Sequence, residues 1–207
     1  MEGFTVPVEV SARHLHVTEE TFHILFGAEA NLSIEKNISQ PNQFIAKERV
    51  KVIGPKGSFS SVGIVGPYRA YTQLELAKSD ARHIGVDAAL TVSGTEVENT
   101  VPVTLEGPLG SVTIHKDVII AARHLHCDPA TAAKYGLKHL DKVKARITGP
   151  RGLAFDQVVV RAREGKDALA LHLDTDEGNA AGVEPGTTAE LILEDISDVP
   201  QPELTLD

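Results

Sequence analysis

The string Arg-His-Leu-His occurs twice in this chain, at residues 13–16 and again at 123–126. Each copy closes a run of strand-favouring residues, 6–10 before the first and 118–122 before the second. Side chains alternate along a strand, so His14 and His16 project to one face while Leu15 projects to the other. The same alternation separates His124 and His126 from Leu125. Two imidazoles on one strand face can grip one metal ion, and the sequence provides that arrangement twice. Any fold for this chain must bury the leucine side of both strands and bring partners to the histidine side.

Further blocks recur in the same order. Gly54-Pro55-Lys56-Gly57 returns as Gly149-Pro150-Arg151-Gly152. Leu74-Glu75-Leu76, with Val86 ten residues on, matches Leu171-His172-Leu173 followed at the same spacing by Val183. The ordered repeat predicts an internal duplication, with halves at residues 1–107 and 108–207. It also sets Glu75 and His172 in equivalent positions as third donors. The candidate ligand sets are therefore His14, His16 and Glu75, then His124, His126 and His172. They describe two related metal sites, or one two-metal site where the halves meet. Zinc is the favoured ion, because imidazole and carboxylate suit it and three protein ligands leave a position open. Iron, cobalt and manganese accept the same donors.

A length of 207 residues accommodates one large domain or two of about 100 each, and the repeat favours two. Hydrophobic residues make up 42% of the chain, yet aromatics are scarce and Trp is absent. That composition fills small barrels with Val, Ile, Leu and Ala and leaves little for stacking bases. The net charge of −9 also speaks against nucleic acid, so an anionic ligand requires a local basic cluster. Cys127 is the only cysteine, which excludes an intramolecular disulfide and a thiolate zinc finger. By alternation it points away from the ligand face, as a small buried hydrophobe. No stretch approaches ~20 uninterrupted apolar residues, and no signal-peptide pattern opens the chain. A cytoplasmic protein without membrane association is expected.

Strands are predicted at 5–10, 49–53, 60–65, 90–93, 101–105, 111–115, 143–148, 156–161 and 189–193. Many short strands between Gly/Pro turns give a mainly β fold, a barrel or sandwich decorated by short helices. One helix is predicted from Thr18 to Phe26, stopped by Gly27. A second has Asp128 as N-cap, Pro129 at its first position, residues 130–135 as its body and Gly136 as its stop. Helices starting just past the dihistidines are expected to direct backbone N–H groups at the site, which suits an anion. The polar segment 29–44, which contains Lys36, reads as a surface loop. His23, His83, His115 and His139 read as surface or structural. Arg13 and Arg123 face with the leucines and buttress their strands. Asp174 and Asp176 fit either partners for ligand imidazoles or a solvated turn. Arg69 follows Gly66-Pro67-Tyr68 and precedes Glu75 by six residues. A phosphate fork and a surface ion pair are equally compatible with it. The acidic tail from Glu194 is expected to fray.

Three features together resemble the PduL-type propanediol-utilisation phosphotransacylases, the phosphate propanoyltransferase family. They are the paired Arg-His-Leu-His segments, Gly66-Pro67-Tyr68-Arg69 with Leu74-Glu75-Leu76, and the run His172-Leu173-Asp174-Thr175-Asp176-Glu177-Gly178-Asn179-Ala180. The resemblance spans residues 6–193. It implies two β-barrel domains with short capping α-helices, the N-terminal strand joining the barrel of the C-terminal half. It also implies two zinc ions at the junction and reversible transfer of propanoyl or acetyl between coenzyme A and phosphate. By position it assigns His14, His16 and Glu75 to one zinc, and His124, His126 and His172 to the other. It assigns Arg69 to phosphate as the catalytic residue, and Ser11, Lys36 and Asn179 to coenzyme A. The implied partners are acyl-CoA, phosphate and further copies of the chain in a homo-oligomer. Gly63 stands where the family is expected to carry a basic residue, a departure at the nucleotide end of coenzyme A. The short N-terminus implies a cytoplasmic enzyme not encapsulated in a microcompartment. Two other readings share the ligands: a dinuclear metal hydrolase of esters or phosphoesters, and a non-enzymatic, metal-stabilised binding module.

Overall fold

The computed structural model describes residues 4–193; the tail from Glu194 lies outside the described residues. The chain opens with β1 (Thr5–Ser11), β2 (His14–His16), α1 (Glu19–Phe26), β3 (Ile34–Asn37) and β4 (Phe44–Ile53). It continues through β5 (Ser58–Gly66), β6 (Gln73–Leu76), α2 (Lys78–Ile84), β7 (Ala89–Thr91) and β8 (Glu98–Glu106). Next come β9 (Ser111–Lys116), β10 (Val118–Ala121), β11 (His124–His126), α3 (Pro129–Lys134) and β12 (Lys142–Ile147). The last elements are β13 (Leu153–Arg161), β14 (Ala170–Asp174), α4 (Thr175–Ala181) and β15 (Thr188–Ile192). The fold is mainly β with short helices. No helix among the described residues is long and apolar enough to cross a membrane.

Strands β1, β14, β11, β13, β12 and β15 close into a six-stranded barrel. The others form a nine-stranded sheet ordered β7-β10-β6-β2-β5-β4-β8-β9, with β3 added on β4. The barrel takes β1 from the start of the chain, and the sheet takes β9 and β10 from beyond residue 107.

Around each dihistidine strand the pairing is the same. β2 lies between β5, parallel, and β6, antiparallel, so His14 is in register with Gly63 and Glu75. β11 lies between β13, parallel, and β14, antiparallel, so His124 is in register with Val159 and His172. Outside β6 runs β10 in parallel, and outside β14 runs β1 in parallel, setting Glu9 beside His172.

Alternation then sorts the side chains into two apolar cores. Leu15, Val62, Ile64, Leu74 and Leu76 pack into the sheet's core with Phe22 and Leu25 from α1. Leu125, Val158, Val160, Leu171 and Leu173 pack into the barrel's core with Val6 and Val8. Each buried leucine contributes about 1.5–3 kcal/mol of transfer free energy. That fixes the strand phase and forces the intervening polar residues onto the opposite face.

Two regions depart from the sequence expectation. The segment 29–44 is more than a surface loop: β3 pairs with β4, and Gln40 is buried. The Gln40 amide clips the barrel by donating to Ala168 O and accepting from Ala168 N–H, both at 3.0 Å. The helices α2 and α4 follow β6 and β14 directly, and the strand pattern gave no warning of them. In α4, Asp174 accepts from Glu177 N–H at 2.8 Å while Glu177 reaches back to Asp174 N–H at 3.2 Å, a capping box.

Candidate metal centre and anion cleft

The polar faces of the two bodies meet. A cavity of about 70 Å³ is lined by His14, His16 and Glu75 from the sheet and by His124, His126 and His172 from the barrel. Within each trio the donor atoms lie within 4.8 Å of one another. The strand registers account for this. His14 faces Glu75 across the antiparallel β2–β6 pair, and His124 faces His172 across β11–β14.

Hydrogen bonding fixes the tautomers. His14 Nδ1 lies 2.9 Å from Ala12 O, and His16 Nδ1 lies 2.9 Å from Val65 O. A carbonyl only accepts, so each Nδ1 carries the proton and each Nε2 presents a lone pair. The barrel repeats the pattern, His124 Nδ1 donating to Ala122 O at 2.8 Å and His126 Nδ1 to the Asp167 carboxylate at 2.6 Å. Yet the two Nε2 atoms of each pair stand only 3.1 Å apart. Burial holds His16 and His126 at pKa values of about 4 and pushes His124 well below its usual value, so these rings are neutral at physiological pH. Opposed lone pairs at that distance repel, and a shared cation removes the conflict. Neutral imidazoles and a carboxylate in sets of three are the donor chemistry of zinc and similar divalent ions.

Negative charge is distributed differently in the two trios. Glu75 approaches His16 Nε2 at 3.4 Å and His14 Nε2 at 3.6 Å. Burial opposes its ionisation, but the nearby His14 and a hydrogen bond from Ser93 outweigh it and hold its pKa well below the usual range. The loop carrying Ser93 is pinned by Gln73, which donates to Thr95 O and accepts from Gly94 N–H, both at 2.9 Å. The barrel trio contains no carboxylate among its donors and is backed by two. Asp167 receives His126, together with Arg163 at 2.8 and 2.9 Å; Glu9 accepts from His172 Nε2 at 3.1 Å. Such outer partners fix ring orientation and raise ligand basicity.

Arg69 reaches the cavity wall, its guanidinium 3.4 Å from Ser93 Oγ and 3.9 Å from Glu75. Ser11 also lines the cavity, whereas Lys36 on β3 and Asn179 on α4 are exposed and lie outside its lining. An added side chain at Gly63 would meet nothing within 4 Å, so the place of the expected basic residue is open space. Sharing Arg69, Arg161 and Arg163 with the cavity is a cleft of about 420 Å³ that is also lined by Lys166. This is the basic cluster that the acidic composition demands for an anionic ligand.

The helix N-termini do not serve the site. Thr18 caps α1 at Thr21 N–H and Asp128 caps α3 at Thr131 N–H, and neither helix lines the cavity. Asp174 caps α4 and Asp176 binds Ser79 at 2.8 Å, so neither orients a ligand imidazole. Arg13 lies over Phe59 and pairs with Asp80 at 2.9 Å; Arg123 lies over Phe155 and pairs with Glu177 at 2.7 Å. Cys127 packs in the barrel core, where burial raises its thiol to about 11. The residues missed from sequence are Glu9, Ser93, Arg161, Arg163 and Asp167. Arg161 carried a usable signal, since the phase that buries Val158 and Val160 turns it to the other face. Asp167 lies 41 residues from His126 and carried none.

The family model described as phosphate propanoyltransferase matches residues 7–184. The chain is 43% identical over 187 residues to the phosphate propanoyltransferase of Alkaliphilus metalliredigens, covering 90% of this chain and 87% of that protein. It is 44% identical to that of Sebaldella termitidis, covering 89% and 86%. It is 41% identical to that of Thermotoga maritima, covering 89% and 88%.

Proposed function

The chain belongs to the phosphate propanoyltransferase family and is an acyltransferase, and from that premise we propose that it exchanges propanoyl or acetyl between coenzyme A and phosphate at a site holding two zinc ions. The observation that carries this reading is the convergence of six donors, from two separately cored bodies, on one cavity that also receives Arg69. His14, His16 and Glu75 would hold one ion, and His124, His126 and His172 the other. Zinc there would supply Lewis acidity toward the thioester carbonyl and positive charge beside the departing sulfur.

The chain's own residues do the rest. Arg69 orients the phosphate so that one of its oxygens meets the thioester carbonyl carbon, and it offsets charge building on oxygen. A C–O bond forms, the C–S bond breaks, and coenzyme A leaves as a thiolate that takes up the proton given by phosphate. Ser11 at the cavity, with Lys36 and Asn179 at the surface, is assigned to coenzyme A. The cavity's small volume limits competing water. Direct transfer is the expected course, in keeping with the chain's single thiol being shut inside the barrel away from the cavity.

The test is free thiol release from propanoyl-CoA and acetyl-CoA, with and without phosphate, on protein whose metal content is assayed. Release that requires phosphate and yields acyl phosphate is expected. Equal release without phosphate would make the protein a thioester hydrolase. No turnover of any acyl-CoA, with unfolding on chelation, would leave a metal-stabilised binding module.

A further inference from the structure

Arg161 ends β13 in register with His126 on the parallel neighbour β11, so its side chain shares the face that carries the ligand histidines. It is 7% exposed and lines both the metal cavity and the basic cleft outside it. Among the described residues its guanidinium has no hydrogen-bond or ion-pair partner, while other arginines near the site are engaged. Arg163 is held by Asp167 at 2.8 and 2.9 Å, and Arg123 by Glu177 at 2.7 Å. The carboxylates nearest Arg161 have other partners, Glu75 accepting from Ser93 and lying 3.9 Å from Arg69, and Asp167 accepting from Arg163 and His126. Burial and the neighbouring Arg163 lower its pKa to about 10, which still leaves it charged at neutral pH.

A largely buried guanidinium that shares the field of Glu75 and Asp167 but pairs directly with neither is costly to keep, and an anion that completes it removes that cost. Around the cavity the carboxylates Glu9, Glu75 and Asp167 balance the guanidinium groups Arg69, Arg161 and Arg163. Two divalent cations would then leave the site strongly positive. That surplus suits a multiply charged tetrahedral anion better than a neutral thioester. Arg69 approaches from the sheet and Arg161 from the barrel, and both line the same cavity and the same cleft. Planar guanidinium forks on two sides are a recurrent means of fixing phosphate.

We propose that Arg161 is a second phosphate-binding residue, gripping from the barrel side the same anion that Arg69 grips from the sheet side. The inference rests on the phosphate acyltransferase reading above and adds to it the barrel's half of the phosphate site. Inorganic phosphate binds between the two arginines in the forward reaction, and the phosphoryl group of the acyl phosphate does so in reverse.

The test compares wild type with Arg161→Met and Arg161→Lys, using steady-state kinetics and calorimetric titration of metal-loaded protein with inorganic phosphate. Removing one charge-assisted contact is expected to weaken phosphate roughly 10- to 150-fold in both KM and calorimetric affinity. The KM for acyl-CoA and the metal content should stay near wild type. Lysine keeps the charge but loses the fork, and should fall between wild type and Met. If Arg161→Met does not fold, the Lys variant decides alone: unchanged phosphate affinity overturns the proposal. A rise in the KM for acyl-CoA with unchanged phosphate binding would overturn it too, assigning Arg161 to coenzyme A. Failure of the parent reading is distinguishable, because wild type itself would then show no phosphate-dependent thiol release.

Discussion

Asp167→Asn separates the two halves of the proposed metal centre most cleanly. The Asp167 side chain is fully buried and accepts three hydrogen bonds, two from Arg163 and one from His126. Burial raises the cost of its charge, and the Arg163 and His126 bonds outweigh that cost and hold it ionised. Asparagine keeps the volume but offers one acceptor oxygen. Its amide nitrogen must face Arg163 or His126, both of them donors, so at least one charge-assisted bond is lost at about 1.5–3 kcal/mol. Arg163 is a third exposed and can recover some of its loss in water. His126 cannot, and its ring becomes less basic. The affinity of the His124–His126–His172 site should fall about 10- to 100-fold, or about 1.4–2.7 kcal/mol. His16, in the other trio, is oriented by Val65 O, which the substitution leaves untouched. Titration against a chromophoric chelator, resolving both ions, should show one weakened and the other within about threefold of wild type. Equal weakening of both, or of neither, would refute the reasoning.

Arg69→Ala should lower phosphate-dependent turnover by about 10²- to 10³-fold and raise the phosphate KM; unchanged phosphate kinetics would remove Arg69 from the mechanism. Glu75→Gln removes the only charged donor of its trio and should release one ion per chain on dialysis while the other stays, read by metal assay. Leu125→Ala opens a hole in the barrel core beneath the dihistidine and should cost about 2–5 kcal/mol in urea denaturation. Gly54→Ala would press a methyl to 2.3 Å from Ile84 O. A cost of about 1–3 kcal/mol, with metal affinity unchanged, is expected in the same denaturation assay.

That the two candidate trios each come together was legible in the sequence, because it depends on local periodicity. A two-residue alternation decides that Leu15 and Leu125 are buried and that the flanking histidines are not packed with them. The third donors were found through repeated flanking leucines, since Leu74 and Leu76, like Leu171 and Leu173, must sit in a core. The residues that support the site were not legible. Glu9 reaches His172 through a parallel pairing across 163 positions, and Gln40 reaches Ala168 across 128. No local pattern encodes such contacts. The repeated Gly-Pro turn also hid two different demands. Gly54 is required by close approach of Ile84, whereas Gly149 has open space and a φ of 139° that side chains resist. The same four letters answered to packing in one place and to backbone geometry in the other.

The central claim is that six side chains hold two cations side by side in one cavity. Anomalous diffraction at the zinc edge, from crystals of the metal-loaded protein, tests it most directly. Two peaks per chain are predicted, one within bonding distance of His14, His16 and Glu75 and one within bonding distance of His124, His126 and His172. A single peak, or none in the cavity, from protein that still releases thiol in a phosphate-dependent way would contradict the account.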